Sequence, residues 1–123
     1  MRKRLEEGSF SISSEIEKEF IRTCIAPLGI EFSTQHYLSE IHHYCDVYVP
    51  SRNVVIEFQG DYWHGNPEKY LEEELTPYQR KKMDKDIELR KYCEENEILL
   101  VEIWESEYRR DVDGVKEKLR RLF

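Results

Sequence analysis

Acidic side chains stand inside otherwise apolar segments of this chain at Glu17, Asp46, Glu57 and Asp86. A carboxylate on a buried face is costly unless it meets a cation or a hydrogen-bond donor, so each is a candidate for chemistry. Asp46 lies in Tyr44-Cys45-Asp46-Val47-Tyr48-Val49 and, eleven residues on, Glu57 lies in Val54-Val55-Ile56-Glu57-Phe58. In an extended strand Glu57 and Gln59 share one face. An acid on each of two adjacent strands can converge on a hard divalent cation, which prefers oxygen ligands. Asp86 falls near the centre of the stripe that Met83, Ile87, Leu89 and Cys93 define on a helix, while Asp84 points away from it. A structural pairing of Asp86 with Arg90 or Lys82 is the plainer alternative. Glu17 sits in the middle of the face made by Ile16, Phe20, Ile21, Cys24 and Ile25. It also stands three residues after Ser14, the spacing of a capping box, and the two roles are compatible.

His64 follows Gln59-Gly60-Asp61-Tyr62-Trp63, just past a strand that carries candidate ligands, where sites commonly form. An imidazole there serves as proton acceptor or as hydrogen-bond donor. His42 and His43 have no comparable neighbourhood and read as loop or edge residues. A zinc site from Cys45 with either of them lacks a four-ligand set, so no zinc is expected.

The elements that position these residues follow from patterning. A helix opens near Ser14 and stops at Pro27 and Gly29. Glu31 to Tyr37 is a weak strand. Tyr44 to Val49 and Val54 to Phe58 form a hairpin across Pro50-Ser51-Arg52-Asn53. Gly60 to Thr76 is a polar connection with a short helical turn. Pro77 starts a helix that runs to about Asn96. Ile98 to Trp104 is a strand, and Val112 to Leu122 a closing helix. The order α-β-β-β-α-β-α makes an α/β (α+β) fold, a central mixed sheet flanked by helices.

With 123 residues the chain has the size of one compact domain. Residues 1–12 read as a flexible leader. Its basic start, Met1-Arg2-Lys3-Arg4, precedes no apolar stretch, so no signal peptide is expected. No apolar run nears the roughly 18 residues of a membrane span. Three widely spaced cysteines give no disulfide framework. The net charge of -7 argues mildly against an autonomous nucleic-acid binder. Basic residues nonetheless cluster at Arg80, Lys81, Lys82 and Lys85 and again from Arg109 to Arg121. Solvated helix faces account for most of that charge, and Arg80 and Lys82 are the candidates for phosphate contact.

Asp46, Glu57-Phe58-Gln59-Gly60-Asp61-Tyr62-Trp63-His64, Met83-Asp84-Lys85-Asp86 and Ile103-Trp104-Glu105 together resemble the very-short-patch repair (Vsr-type) branch of the PD-(D/E)xK nucleases. Ile16-Glu17-Lys18 and Gly29-Ile30-Glu31-Phe32 with Gln35 add to the likeness, which runs from about Ser14 to Glu105. The set Glu17, Asp46, Gln59, His64, Asp86 is similar to the E-D-x-H-D constellation of phage homing endonucleases. Gln59 stands where the D…E-x-K signature has Lys and where repair nucleases of this branch carry His.

The resemblance implies a restriction-endonuclease-like core over residues 13–123, acting as a single catalytic domain that hydrolyses phosphodiesters of double-stranded DNA with Mg²⁺ or Mn²⁺. Asp46, Glu57 and the Phe58 carbonyl would hold the metal, His64 would move the proton, Asp86 and Glu17 would orient, and Gln59, without the charge of the usual Lys, would position water by hydrogen bonding. Tyr62 and Trp63 would wedge into DNA or pack beneath their loop. A homing-type enzyme is the leading expectation. A mismatch-repair nickase and a non-cleaving DNA-binding module are the alternatives. A homodimer or a separate recognition domain would choose the target, and a bacterial or phage-encoded, cytoplasmic, nucleoid-associated enzyme is expected.

Overall fold

The computed structural model describes residues 15–62 and 64–123. The expected leader, the Ser14 half of the capping box and Trp63 lie outside the described residues. Two compact units divide the chain, one drawn from its first thirty residues with Asp111–Phe123 and the other Glu31–Arg110. Each has its own reasons for folding.

In the first unit, helix α1 (residues 15–20) widens into a π-helical turn, Ile21–Ile25, and tightens into a 3-10 turn, Ala26–Leu28. Pro27 cannot donate to a continuing helix, and Gly29 takes the left-handed φ of 70° that closes it. Phe20, Cys24 and Ile25 are buried, while Glu15 and Glu19 are exposed, as the periodicity requires. Helix α4 (Val112–Arg120) packs on the π turn. Asp111 caps it by accepting from the Gly114 N–H at 2.9 Å, and Val115 and Leu119 are its buried face.

The second unit is a four-stranded mixed sheet in the order β1-β2-β3-β4, with β1 Ser33–Leu38, β2 His43–Val49, β3 Val54–Gln59 and β4 Leu99–Trp104. β1 to β3 are antiparallel neighbours, and β4 runs parallel to β3. Every residue of β3 is buried, because this inner strand is covered on both faces. Helix α2 (Pro77–Glu95) lies on one face, where Leu89 and Cys93 pack with Leu38, Cys45 and Val55. Each buried aliphatic side chain there contributes roughly 1.5–3 kcal/mol. Helix α3 (Glu105–Arg110) serves the other face, its Tyr108 meeting Phe58 edge-on at 5.7 Å. The polar residues of α3 gave no apolar period, and patterning alone did not anticipate it.

Helix α2 starts where Pro77 requires. Thr76 accepts from the Gln79 N–H at 3.1 Å, and Gln79 Oε1 accepts from the Thr76 N–H at 2.8 Å, a reciprocal cap. The buried stripe of α2 differs from the expected one. Gln79, Asp86, Leu89 and Cys93 are buried and Met83 half-buried, while Ile87 is 56 % exposed. Spacings of seven and three through Asp86 decide the face, and Ile87 falls outside it. Among the described residues no helix is long and apolar enough to cross a membrane.

Candidate active site

The acid pair forms where the sheet departs from regular pairing. β1 and β2 pair Ser33 with Tyr48 and Thr34 with Val47, then His36 with Cys45, Tyr37 with Tyr44 and Leu38 with His43. The pairing passes over Gln35 and Asp46, and Gln35 holds a left-handed φ of 51°. A non-glycine residue there is strained by about 1 kcal/mol or more, and such strain gathers at functional sites. Side-chain parity flips in both strands at this point. Tyr48 belongs to the α2 face with Val55, and so does Cys45, although the two stand three positions apart and an unbroken alternation would put them on opposite faces.

The β2–β3 ladder pairs Val49, Tyr48 and Val47 with Val54, Val55 and Ile56. Beyond it the two acids take over the linking. The Asp46 N–H donates to Glu57 Oε2 at 2.7 Å, and the Phe58 N–H donates to Asp46 Oδ2 at 2.8 Å. Burial and then the neighbouring Glu57 push the Asp46 pKa well above the ordinary carboxylate range, against the hydrogen bonds from Phe58 and Gln35. The charge of Lys82 also acts on this carboxyl, in the lowering direction.

Asp86, 3 % exposed on α2, meets His64 across the loop, with Oδ2 2.8 Å from Nδ1. A carboxylate only accepts, so the proton lies on Nδ1 and Nε2 offers its lone pair. The alternative partners of Asp86 are otherwise engaged or turned: Arg90 pairs with Glu102, and Lys82 lies 5.9 Å over the Tyr78 ring. The Trp104 ring stands edge-on to His64 at 6.4 Å.

His43 is a correction to the expectation of a loop or edge residue. It begins the inner strand β2, and its Nε2 is buried, 3.6 Å from Glu57 Oε1 and without a hydrogen bond among the described residues. Burial lowers its pKa, and the charges of Asp86, Lys85, Lys82 and Glu88 also act on it. His43 therefore joins the acid pair to the Asp86–His64 pair. Regular alternation from Tyr48 would have sent it to the other face, so only the parity flip reveals it. His42, at φ 50°, stays in the turn and is hydrogen-bonded through Nδ1 to Tyr37 Oη at 2.9 Å.

The loop that carries His64 is fixed by polar contacts. Asp61 Oδ1 accepts from Asn66 Nδ2 and from Ser106 Oγ, each at 3.0 Å, and Oδ2 lies 3.3 Å from Lys69 Nζ. Gln79 Nε2 donates to the Tyr62 carbonyl at 2.6 Å. Gly65 adopts φ 60°, and a Cβ there would come within 2.9 Å of Leu75 and 3.1 Å of Met83. Burial raises the Asp61 pKa, yet the hydrogen bonds from Asn66, Ser106 and Lys69 outweigh it and hold the carboxyl below its usual range. Asp61→Ala is expected to cost about 2–3 kcal/mol in urea unfolding at pH 7, the scale for stranding buried partners of a charged group. Since the folded pKa is depressed, this contribution is complete above the unfolded carboxylate value. It is lost as pH falls through the folded one. A deficit that stays constant down to pH 2 would exclude the charge as its source.

Asp46, Glu57, Gln59, His64 and Asp86 thus all lie in the second unit, where Asp46 meets Glu57, His64 meets Asp86, Gln59 meets Glu102 and His43 lies 3.6 Å from Glu57. Glu17, half-buried on α1, belongs to the first unit. Tyr62 is 47 % exposed and edge-on to Tyr70, and Arg80 donates to the Glu72 carbonyl at 2.7 Å. All three cysteines are free and buried. No family model matches the chain, and neither a curated protein nor a solved structure matches it.

Proposed function

We propose that this chain is the catalytic domain of a Mg²⁺-dependent DNA endonuclease of the PD-(D/E)xK type, in its homing-type form. The observation that carries this reading is the link between two candidate acids, the Asp46 N–H donating to Glu57 Oε2 at 2.7 Å, in the same unit as an Asp86–His64 pair.

Among the described residues, no three His, Cys, Asp or Glu side chains form a ready-made metal cage. The donor set nonetheless suits Mg²⁺, a hard ion that keeps several waters and needs only one or two carboxylates from the protein. Asp46, Glu57 and the Phe58 carbonyl are the oxygens that would hold it. When bound, the ion supplies Lewis acidity, a more acidic water and neutralisation of charge on the phosphate.

The chain's own groups do the rest in this reading. His64 Nε2 takes a proton from water or gives one to the leaving oxygen, and Asp86 keeps the ring in the useful tautomer. Lys82 and Arg80 contact phosphates of double-stranded DNA, and exposed Tyr62 packs against the duplex. Target choice is left to a second copy or a separate recognition domain.

The direct test is supercoiled plasmid incubated with the purified chain. Relaxed or linear product with Mg²⁺ or Mn²⁺, suppressed by EDTA, is the expected result. Intact plasmid across divalent ions, with DNA binding retained, would move the chain to the class of non-cleaving modules.

A further inference from the structure

Gln59 carries an unmet demand at the heart of the site. Its side chain is 1 % exposed, and the two ends of its amide fare differently. Nε2 donates to Glu102 Oε2 at 2.8 Å, whereas Oε1 is buried without a hydrogen-bond partner among the described residues. A buried carbonyl oxygen in that state is costly, so a donor that reaches it, such as a water molecule, is favoured there.

The amide has one orientation open to it. A half-turn would set Oε1 against the Glu102 carboxylate, acceptor facing acceptor. Glu102 is itself clamped. Arg90 Nε donates to Oε1 at 3.0 Å and to Oε2 at 3.2 Å, and Arg90 Nη2 lies 3.0 Å from Oε2. This forked pairing fixes direction as well as charge. Glu102 is the β4 partner of Glu57 in the parallel register, so the clamp sits one strand away from the acid pair. With Nε2 turned toward β4, the carbonyl faces away from Glu102.

We propose that Arg90 and Glu102 are positioning residues. They lock the Gln59 amide so that its carbonyl receives a hydrogen bond from the hydrolytic water beside Asp46 and Glu57. This rests on the nuclease reading and says how a chain with Gln in place of the usual Lys orients its nucleophile. Gln59 accepts a hydrogen bond and takes no proton. Orientation by a fixed acceptor acts on the reacting geometry rather than on DNA affinity, so its loss falls on kcat.

The experiment joins two readouts. In wild type, the Gln59 side-chain amide protons are expected to exchange with water at least about tenfold more slowly than those of an exposed glutamine. In Glu102→Ala the protection disappears, and kcat for plasmid cleavage drops at least about tenfold while KM stays within about twofold. Arg90→Ala gives a smaller loss in the same direction. The proposal is overturned by a folded Glu102→Ala with wild-type kcat. It is overturned equally by a wild-type Gln59 amide that exchanges as freely as an exposed one, and that measurement decides alone where Glu102→Ala does not fold. Slow Gln59 exchange in a wild-type protein that cuts no DNA removes the nuclease reading and the water-orienting role with it, and leaves only the lock.

Discussion

Asp46→Asn is expected to abolish Mg²⁺-dependent cleavage while making the metal-free protein more stable. The two effects have one origin. Asp46 is one of the proposed metal ligands, and burial and the neighbouring Glu57 disfavour its charge when no metal is bound. An amide keeps an oxygen for the Phe58 N–H and removes the charge that burial and the neighbouring Glu57 disfavour. The gain is on the order of 1–3 kcal/mol at neutral pH, the scale of relieving a buried unsatisfied group. The sign over pH follows from the raised pKa. Folded Asp46 keeps its proton to higher pH than the unfolded chain does. Wild-type stability therefore declines as pH climbs from the usual carboxylate range through the folded value, and the variant escapes that decline.

Mg²⁺ should raise the wild-type melting temperature by linkage and leave the variant unmoved. Metal polarisation of the phosphate is worth several kcal/mol, so cleavage should drop by about a thousandfold or more at about 1.36 kcal/mol per factor of ten. An Asp46→Asn protein that melts lower than wild type without metal and still cuts would end the metal-site assignment.

His64→Ala should lower kcat by about 10²–10⁴-fold, the range for a positioned general acid or base. The ring is only half-buried, so the fold should survive. Asp86→Asn should have a smaller effect in the same direction, because an amide can offer Nδ1 a poorer acceptor and lets the ring adopt the wrong tautomer. The double variant should be no worse than His64→Ala alone, since Asp86 acts through the imidazole it holds at 2.8 Å. Additive losses in the double variant would mean that Asp86 has business of its own, with the metal or the DNA. Wild-type-like cutting by His64→Ala would remove the imidazole from the mechanism.

Much of this arrangement could be read from residue order, and the exceptions have physical causes. The strands around Asp46 and Glu57 and the start of α2 at Pro77 were legible because β-branched runs and proline are strong local signals. Asp86 was legible because an acid on an apolar helical stripe is rare. Ile87 misled, since one hydrophobic residue at the margin of a stripe is cheap to expose. Helix α3 offered a single buried side chain, Tyr108, and no period to detect. Glu102 sat in a run of Leu, Val and Ile that reads as plain strand, and its use depends on Arg90 arriving from another element. His43 was hidden by the flip at Gln35 and Asp46, an event in backbone torsion that residue identities do not announce.

That flip also constrains how the hairpin can change over time. The irregularity in β1 is matched opposite it in β2, so each strand's inward set beyond that point depends on the other. Deleting or inserting one residue in either strand would turn its outer half over, exchanging Leu38 or Cys45 for a neighbour meant for the opposite side. Length variants of this hairpin should therefore survive only as compensated pairs, one in each strand. Unpaired ones should misfold even when every acid and imidazole is kept.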